Sequence, residues 1–523
     1  MELADSDATS VTVPQGVKPS TSWLSAGGDA DVPASREAGH PARTDGGIAD
    51  GGFADGGFAD GGFADGGFAD GGFADGGFAD GRELPTLSGA FGTDRQRVSR
   101  CLVELVRAVD ALPPKAKRSQ DPRRRADGLH QRARLLRRRF LGRHAERLYE
   151  ELTDGLTRSL RVEEIAVLAA ERCPGLVPGP ERLAAEARLP QWEKEGWEID
   201  QGLLFQALFG SAVAGPHLLR AMLRPTRRSL AALPGFRATG RADLGAVSVT
   251  RREGIAQVEV CNDAYLNAED DALVEALETA TDLVLLDDGS RVGVLRGGVM
   301  THPAHRGRRV FSAGINLTHL FQGRISLVGF MLRREVGYLA KFVHGLHHGE
   351  DGPGGLPARV VKPWVGAVDS FAIGGGTQIL LALDRVVTAE DAWFSLPAMD
   401  EGLVPGAANL RLVPATGSRL SRQMIFWGRR LRAGDPAASW LCDQVVPAGE
   451  LDAAVERAAA HLDNPAVAAN KRMLAIGEEP EDVFRRYMAA YAIEQAVRMY
   501  SPDLIANLER TWVNRSRRHA AGA

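Results

Sequence analysis

An α/β fold with helices on both sides of it is what the hydrophobic pattern predicts, and three observations carry that expectation. Up to about residue 240, apolar residues recur at three- and four-residue spacing. From Leu244 onward, segments that alternate every second residue take turns with helical ones. Within that second region two glycine-containing turns, FSAGINL at Phe311–Leu317 and AIGGGTQ at Ala372–Gln378, each lead from a strand into a helix. Strands and helices in alternation argue for stacked α/β layers.

Taken in chain order, the first segment is a pentapeptide repeat, GGIAD and then GGFAD, from Gly46 to Asp80. A glycine pair every five residues makes ordering costly and leaves little apolar area to bury, so residues 1–85 are expected to be a disordered tail. Residues 86–240 are expected to form a helical domain, with RVSRCLVELVRAVDAL, RARLLRRRFLGRHAERLYEELTDGL and RVEEIAVLAAERC as its clearest helices. Residues 241–450 are expected to form the α/β core. There AVSVTRREGIAQVEVC reads as a hairpin, DDALVEALETAT as an amphipathic helix, VGVLRGG as a buried strand, and ARVVKPWVGAVDSFAIGGG as a strand running into the helix TQILLALD. Residues 451–523 close the chain with helices such as LDAAVERAAAHL and DVFRRYMAAYAIEQAVRMY.

Of the 523 residues 44% are hydrophobic, enough for a sizeable core. With 63 basic and 67 acidic residues the net charge is −4, so no global field recommends nucleic acid or an anionic membrane as a partner. The arginine clusters Arg123–Arg125 and Arg137–Arg139 are read as solvated or salt-bridged helix faces. Four widely spaced cysteines without a CxxC pair fit free thiols, and the acidic opening MELADSD lacks a signal-peptide pattern. A cytoplasmic protein without a membrane span is therefore expected.

A strand-to-helix turn leaves backbone N–H groups facing outward, and two such turns side by side can hold one oxygen anion. FSAGINL, followed by KPWVGAVDSFAIGGGTQILLALDRVVTAEDAWFSLPAMDEGLVPGAANLRLVPATG, closely resembles the crotonase (enoyl-CoA hydratase/isomerase) superfamily. That resemblance implies a ββα spiral core, an acyl-CoA thioester substrate, an oxyanion hole made by the N–H groups of Ile315 and Gly375, and C-terminal helices that pack in a homo-oligomer, a trimer or dimer of trimers. Such a hole stabilises the enolate left when a proton is removed beside a thioester carbonyl.

The departures matter as much as the match. The two glutamates that activate water in hydratases of the superfamily match Gln378 and Ala398, neither of which titrates, so hydration is not expected. The usual aspartate after the first turn is Asn316. With Gln378 in the glutamate's place and a long helical region ahead of the core, the chain resembles a dioxygenase branch of the superfamily that works without metal or cofactor in glycopeptide-antibiotic biosynthesis. There the enolate of an aryl-acetyl-CoA reacts directly with molecular oxygen, and the resemblance places Gln378 against the substrate.

Further substrate-binding candidates come from the residues themselves. In LVGFMLRREVGYLAKFV, Arg334 falls on a helical stripe of Leu327, Met331, Tyr338 and Phe342. An arginine on an apolar face needs a partner, either an aryl hydroxyl of the substrate or an internal carboxylate. Glu269, read as lying in the first turn of a helix capped by Asn267, is either a dipole partner or a hydrogen-bonding partner for a dihydroxyphenyl ring. Leu403 is either plain core or the lining of an apolar oxygen pocket. Arg306, Arg308, Arg309 and Lys471 are candidates for CoA phosphates. HGLHHGE offers His344, His347, His348 and Glu350 as metal ligands, but it runs into a glycine-rich loop without rigid support, and no metal site is expected. Other acyl-CoA chemistry (thioester hydrolysis or decarboxylation) and a CoA- or RNA-binding scaffold are the competing function classes.

Overall fold

Helices dominate both ends of the described chain, and mixed sheets lie between them. The computed structural model describes residues 83–349 and 359–510; the GGFAD repeat and most of the GEDGPGG loop lie outside them. The first helices are α1 (Phe91–Asp110), α2 (Gln120–Leu152), α3 (Val162–Arg172), α4 (Pro180–Glu186), α5 (Glu198–Gly210), α6 (Ala214–Met222) and α7 (Arg227–Thr239). On α1 the buried side chains Val98, Leu102, Leu105 and Val109 follow the helical period and pack on α2. Thr226 caps α7 by accepting the Ser229 N–H at 3.0 Å, and Gly240, at φ +65°, ends it. Of the two arginine clusters, Arg137 is turned inward: it donates to Leu176 O and Gly175 O and pairs with Asp200 at 3.0 Å.

Next come β1 (Arg241–Asp243), β2 (Val247–Arg252) and β3 (Ile255–Val260). The β2–β3 hairpin turns through Glu253 and Gly254, both at positive φ as a two-residue hairpin turn requires. The chain continues through α8 (Asp271–Leu286), β4 (Val292–Gly297) and α9 (Leu317–Phe321). After two π-helical segments, Leu327–Leu332 and Glu335–Leu339, follow α10 (Ala340–His344), β5 (Leu346–His347), β6 (Arg359–Val360), β7 (Trp364–Val368), β8 (Phe371–Ile373) and α11 (Gly375–Leu380). The remaining elements are β9 (Arg385–Ala389), β10 (Trp393–Ser395), α12 (Ala398–Glu401), α13 (Ala408–Trp427), β11 (Leu431–Arg432), β12 (Gln444–Val446), α14 (Leu451–Leu462), α15 (Pro465–Glu478) and α16 (Glu481–Arg498).

The larger sheet among the described residues runs β1-β2-β3-β4-β7-β9-β12, antiparallel over its first three strands and parallel from β3 on. A smaller sheet pairs β8 with β10 in parallel and β10 with β11 antiparallel. Strand β7 is buried throughout, as a central parallel strand must be. Because β7 and β8 are consecutive but belong to different sheets, the chain turns from one layer into the other just ahead of Gly374. Helix α5 packs along α16, so the first helices and the last share one core.

An ionic cluster centred on the fully buried Lys341, Glu278 and Asp282 ties these layers together. Lys341 donates to Glu278 at 2.9 Å and Asp282 at 2.7 Å; Arg161, the residue before α3, grips Glu278 with two bonds of 2.7 and 2.9 Å, and Arg333 adds a third cation at 2.8 Å. One expectation is corrected here. Helix α8 is capped by Asp270, which accepts the Leu273 N–H, and not by Asn267. Asn267 sits at φ +57° with its amide donating to Val310 O, and Glu269 precedes the helix, bridged to Ile315.

Candidate active site

The two glycine turns lie against each other. Ser312 bridges to Ala372, and Ile373 N–H donates to Ser312 O at 3.0 Å. Gly374, at φ +50° and ψ −113°, makes the bend into α11, a conformation that side-chain-bearing residues rarely take. Gly375 is confined for a different reason: a Cβ on it would stand 2.2 Å from Glu269 Oε1. Among the described residues, neither the Ile315 N–H nor the Gly375 N–H donates a hydrogen bond, since the Glu269–Ile315 bridge uses Gly314 O and the Asn316 N–H instead. Both residues with an unengaged N–H line one cavity.

Beside them is a cluster built on Arg334. Its guanidinium donates to Glu269 Oε2 at 2.8 Å and Oε1 at 3.0 Å, to Glu335 Oε1 at 2.7 Å, to Gln378 Oε1 at 2.7 Å and to Gly375 O at 2.8 Å. Tyr338 donates its hydroxyl to Glu269 Oε2 at 2.5 Å, and Glu335 Oε2 accepts the Ala407 N–H at 2.9 Å. Burial alone would depress Arg334, but Glu269 and then Tyr338 and Glu335 hold it well above its ordinary value. Burial, reinforced by Glu269, pushes the Tyr338 phenol well up, so it stays a proton donor.

The six residues singled out above, Ile315, Gly375, Gln378, Arg334, Glu269 and Leu403, line a single cavity. Sequence reasoning missed three acidic or phenolic groups of this site: Glu335, Tyr338 in its polar role, and Glu401. Glu335 follows Arg334 directly, and residues one apart on an α-helix do not share a face; the π-helical winding turns both inward. A second charge next to Arg334 on an apolar stripe was the signal available. Glu401 ends the one-turn helix α12 and borders the cavity. Among the described residues its carboxylate has neither hydrogen bond nor ion pair, and burial, with Asp400 beside it, pushes it up to about 7.

The remaining candidates fall elsewhere. Lys471 donates to Asp384 at 2.5 Å and to Lys362 O, Arg308 pairs with Asp391 and Arg309 with Glu259, while Arg306 is exposed. Asn316 caps α9 by accepting the His319 N–H at 3.0 Å. His344 is engaged by Glu479 at 2.8 Å, and Glu350 lies outside the described residues. Ala398 is buried in the cavity wall.

Comparison with known proteins gives the family. The enoyl-CoA hydratase/isomerase family profile matches residues 358–494. The chain is 51% identical over 425 residues to (3,5-dihydroxyphenyl)acetyl-CoA 1,2-dioxygenase of Amycolatopsis orientalis, covering 81% of this chain and 97% of that protein. It is 30% identical to the mitochondrial enoyl-CoA hydratase domain-containing protein 2 of Bos taurus, over 38% of this chain and 60% of the relative. Among solved structures, an enoyl-CoA hydratase from Mycobacterium avium subsp. paratuberculosis K-10 is 24% identical with a TM-score of 0.42, covering 51% of this chain and 99% of that one. With a relative of 51% identity matched over nearly its whole length, the chain belongs to the enoyl-CoA hydratase/isomerase family.

Proposed function

We propose that this protein is a dioxygenase, independent of metal and cofactor, that converts (3,5-dihydroxyphenyl)acetyl-CoA and molecular oxygen to (3,5-dihydroxyphenyl)glyoxylate and CoA. The observation that carries the proposal is the pair of unengaged N–H groups of Ile315 and Gly375, which open on the same cavity as the Arg334–Glu269–Gln378 cluster. The 51% identity to the Amycolatopsis orientalis dioxygenase supports the same substrate. In this reading the thioester oxygen rests on the two N–H groups, which stabilise the enolate formed at the α-carbon. All five N–H groups of Arg334 are engaged within this cluster, so the ring hydroxyls are bound by exchange for contacts now made inside it, with Arg334 as donor and Glu269 as acceptor. Gln378 contacts the substrate without activating water, because an amide does not titrate. Leu403 borders the apolar side from which oxygen reaches the enolate.

The enolate carbon reduces and binds oxygen, and the resulting peroxide attacks the thioester carbonyl and expels CoA. Expulsion of CoA thiolate closes a four-membered ring through the two oxygens, and loss of the remaining Cα–H as a proton then forms the ketone, breaks the O–O bond and yields the arylglyoxylate. Both atoms of oxygen enter the product.

The core in this reading is the family's ββα spiral, the protein works in the cytoplasm, and its C-terminal region forms a trimer or dimer of trimers. Trp427, Trp440, Met473, Leu474 and Ile476 are strongly exposed apolar side chains that such an assembly would cover. Light scattering tests the assembly. Oxygen consumption by chelator-treated protein with (3,5-dihydroxyphenyl)acetyl-CoA, with product mass recorded, tests the activity. Stoichiometric uptake with arylglyoxylate is expected; CoA release without oxygen uptake would overturn the proposal in favour of hydrolysis.

A further inference from the structure

We propose that Glu401 is the general base that takes the α-proton of the bound thioester. The inference rests on the dioxygenase reading and supplies the step that reading leaves without an agent. Three carboxylates border the cavity, and two are committed. Glu269 is held by Arg334 and Tyr338, and Glu335 by Arg334 and the Ala407 N–H. The third, Glu401, accepts no hydrogen bond from any described residue. Its Oε1 lies 3.2 Å from where a Cβ on Gly374 would stand, immediately beside the residue whose N–H is offered to the thioester oxygen. An oxygen bonded to Gly375 N–H has its α-carbon two bonds away, in the cavity that Glu401 also lines. A proton acceptor must have such reach, and it must be free of stronger partners.

The position is also held firmly. The segment after α12 is pinned to α16: Arg498 donates to Gly402 O at 2.8 Å, Gln495 Oε1 accepts the Val404 N–H at 3.0 Å, and the Tyr487 hydroxyl donates to Gly406 O. A base on a braced element keeps its aim. The charged and titratable groups around Glu401 are Asp400 on its own helix, Glu269 before α8, Arg334 and Glu335 opposite, and Tyr491 on α16. A carboxyl held up at about 7 is matched to taking a proton near neutral pH. In the step itself the Cα–H bond breaks and the proton ends on a Glu401 oxygen. The electron pair forms the Cα–C double bond of the enolate, whose negative oxygen faces the Ile315 and Gly375 N–H groups. No oxidant is consumed.

The test separates proton removal from oxygenation. Wild-type protein and Glu401→Gln are incubated anaerobically in D2O with (3,5-dihydroxyphenyl)acetyl-CoA, and deuterium at the α-carbon is followed by mass spectrometry. Substrate Kd and aerobic oxygen uptake are measured alongside. Glu401→Gln is expected to slow both exchange and uptake by about 10²–10⁴-fold with Kd nearly unchanged, and to abolish the rise of exchange with pH through about 7. Exchange by Glu401→Gln at the wild-type rate, or a loss seen in Kd alone, overturns the inference. Wild-type protein that exchanges the proton without consuming oxygen defeats the dioxygenase reading, while slowed exchange in Glu401→Gln would still identify the base. Should Glu401→Gln fail to fold, Glu401→Asp serves. Its retracted carboxylate is expected to slow exchange without changing Kd, and wild-type exchange by that variant overturns the assignment.

Discussion

Arg333 and Arg334 are neighbours in the chain and anchor two different kinds of polar burial. Arg333 reaches Glu278, where Lys341, Arg161 and Asp282 complete a network in which each carboxylate is matched by cations. Arg334 reaches Glu269, Glu335 and Gln378 on the wall of a cavity that also holds three groups without a described partner, the Ile315 and Gly375 N–H groups and the Glu401 carboxylate. A closed network holds elements in register. An open one holds the same kinds of group in readiness for something that arrives later.

Breaking the closed network should give the largest effect. Lys341→Met leaves Asp282 with only the Thr226 N–H and Ser229 hydroxyl as partners, and is expected to destabilise the protein by about 3–5 kcal/mol in urea unfolding. Next is the oxyanion turn. Gly375→Ala drives a methyl to 2.2 Å from Glu269 Oε1, so the buried Glu269–Arg334 pair must shift; kcat for oxygen uptake is expected to fall about 10²-fold through misplaced contacts, with a lowered unfolding midpoint. Gln378→Glu adds another carboxylate beside an arginine that already carries Glu269 and Glu335. Oxygen uptake should fall at least about tenfold through displaced contacts, with thioester hydrolysis appearing as free CoA. Unchanged oxygenation kinetics would count against any substrate contact by Gln378.

The smallest effect separates two carboxylates by their titration. Glu401 stands at about 7, while Glu479, gripped by Arg411 and His344 despite its burial, is lowered to about 2. A folded-state value below the ordinary 4.5 means that Glu479 stabilises the fold above that pH and loses this contribution as pH falls from about 4.5 toward 2. Glu195, beside His130 and Arg118, is also lowered to about 2 and acts in the same window. Glu479→Gln should therefore lower Tm most at neutral pH, with the difference from wild type shrinking as pH falls from about 4.5 toward 2, so that part of the acid limb of Tm against pH is flattened.

What was legible in the sequence was local. The hairpin through Glu253 and Gly254, the buried strand at Val292–Gly297 and both glycine turns announce themselves within a few residues, because turn chemistry and periodicity act at that range. Arg334 was also visible, as a charge on an apolar stripe. The role of Asn267 was misread because its amide is claimed by Val310, 43 residues away, a preference no local capping rule contains. Glu401 was invisible for a similar reason: in PAMDEGLVPG it reads as one of two solvated acids, and only the closure of α12 onto Gly374 makes it part of a site. The winding that turns Glu335 inward leaves no mark on a 3.6-residue pattern.

The union of first and last helices bears on how the protein is made. Gln191 donates to Met499 O across 308 residues, and Tyr500 bonds Glu198 on α5 across 302. At a ribosome adding about 5–20 residues per second, helix α5 waits on the order of 15–60 s for its packing partner to be synthesised. Throughout that interval the apolar flank of α5 that α16 will cover is without its partner, a standing opportunity for chaperones.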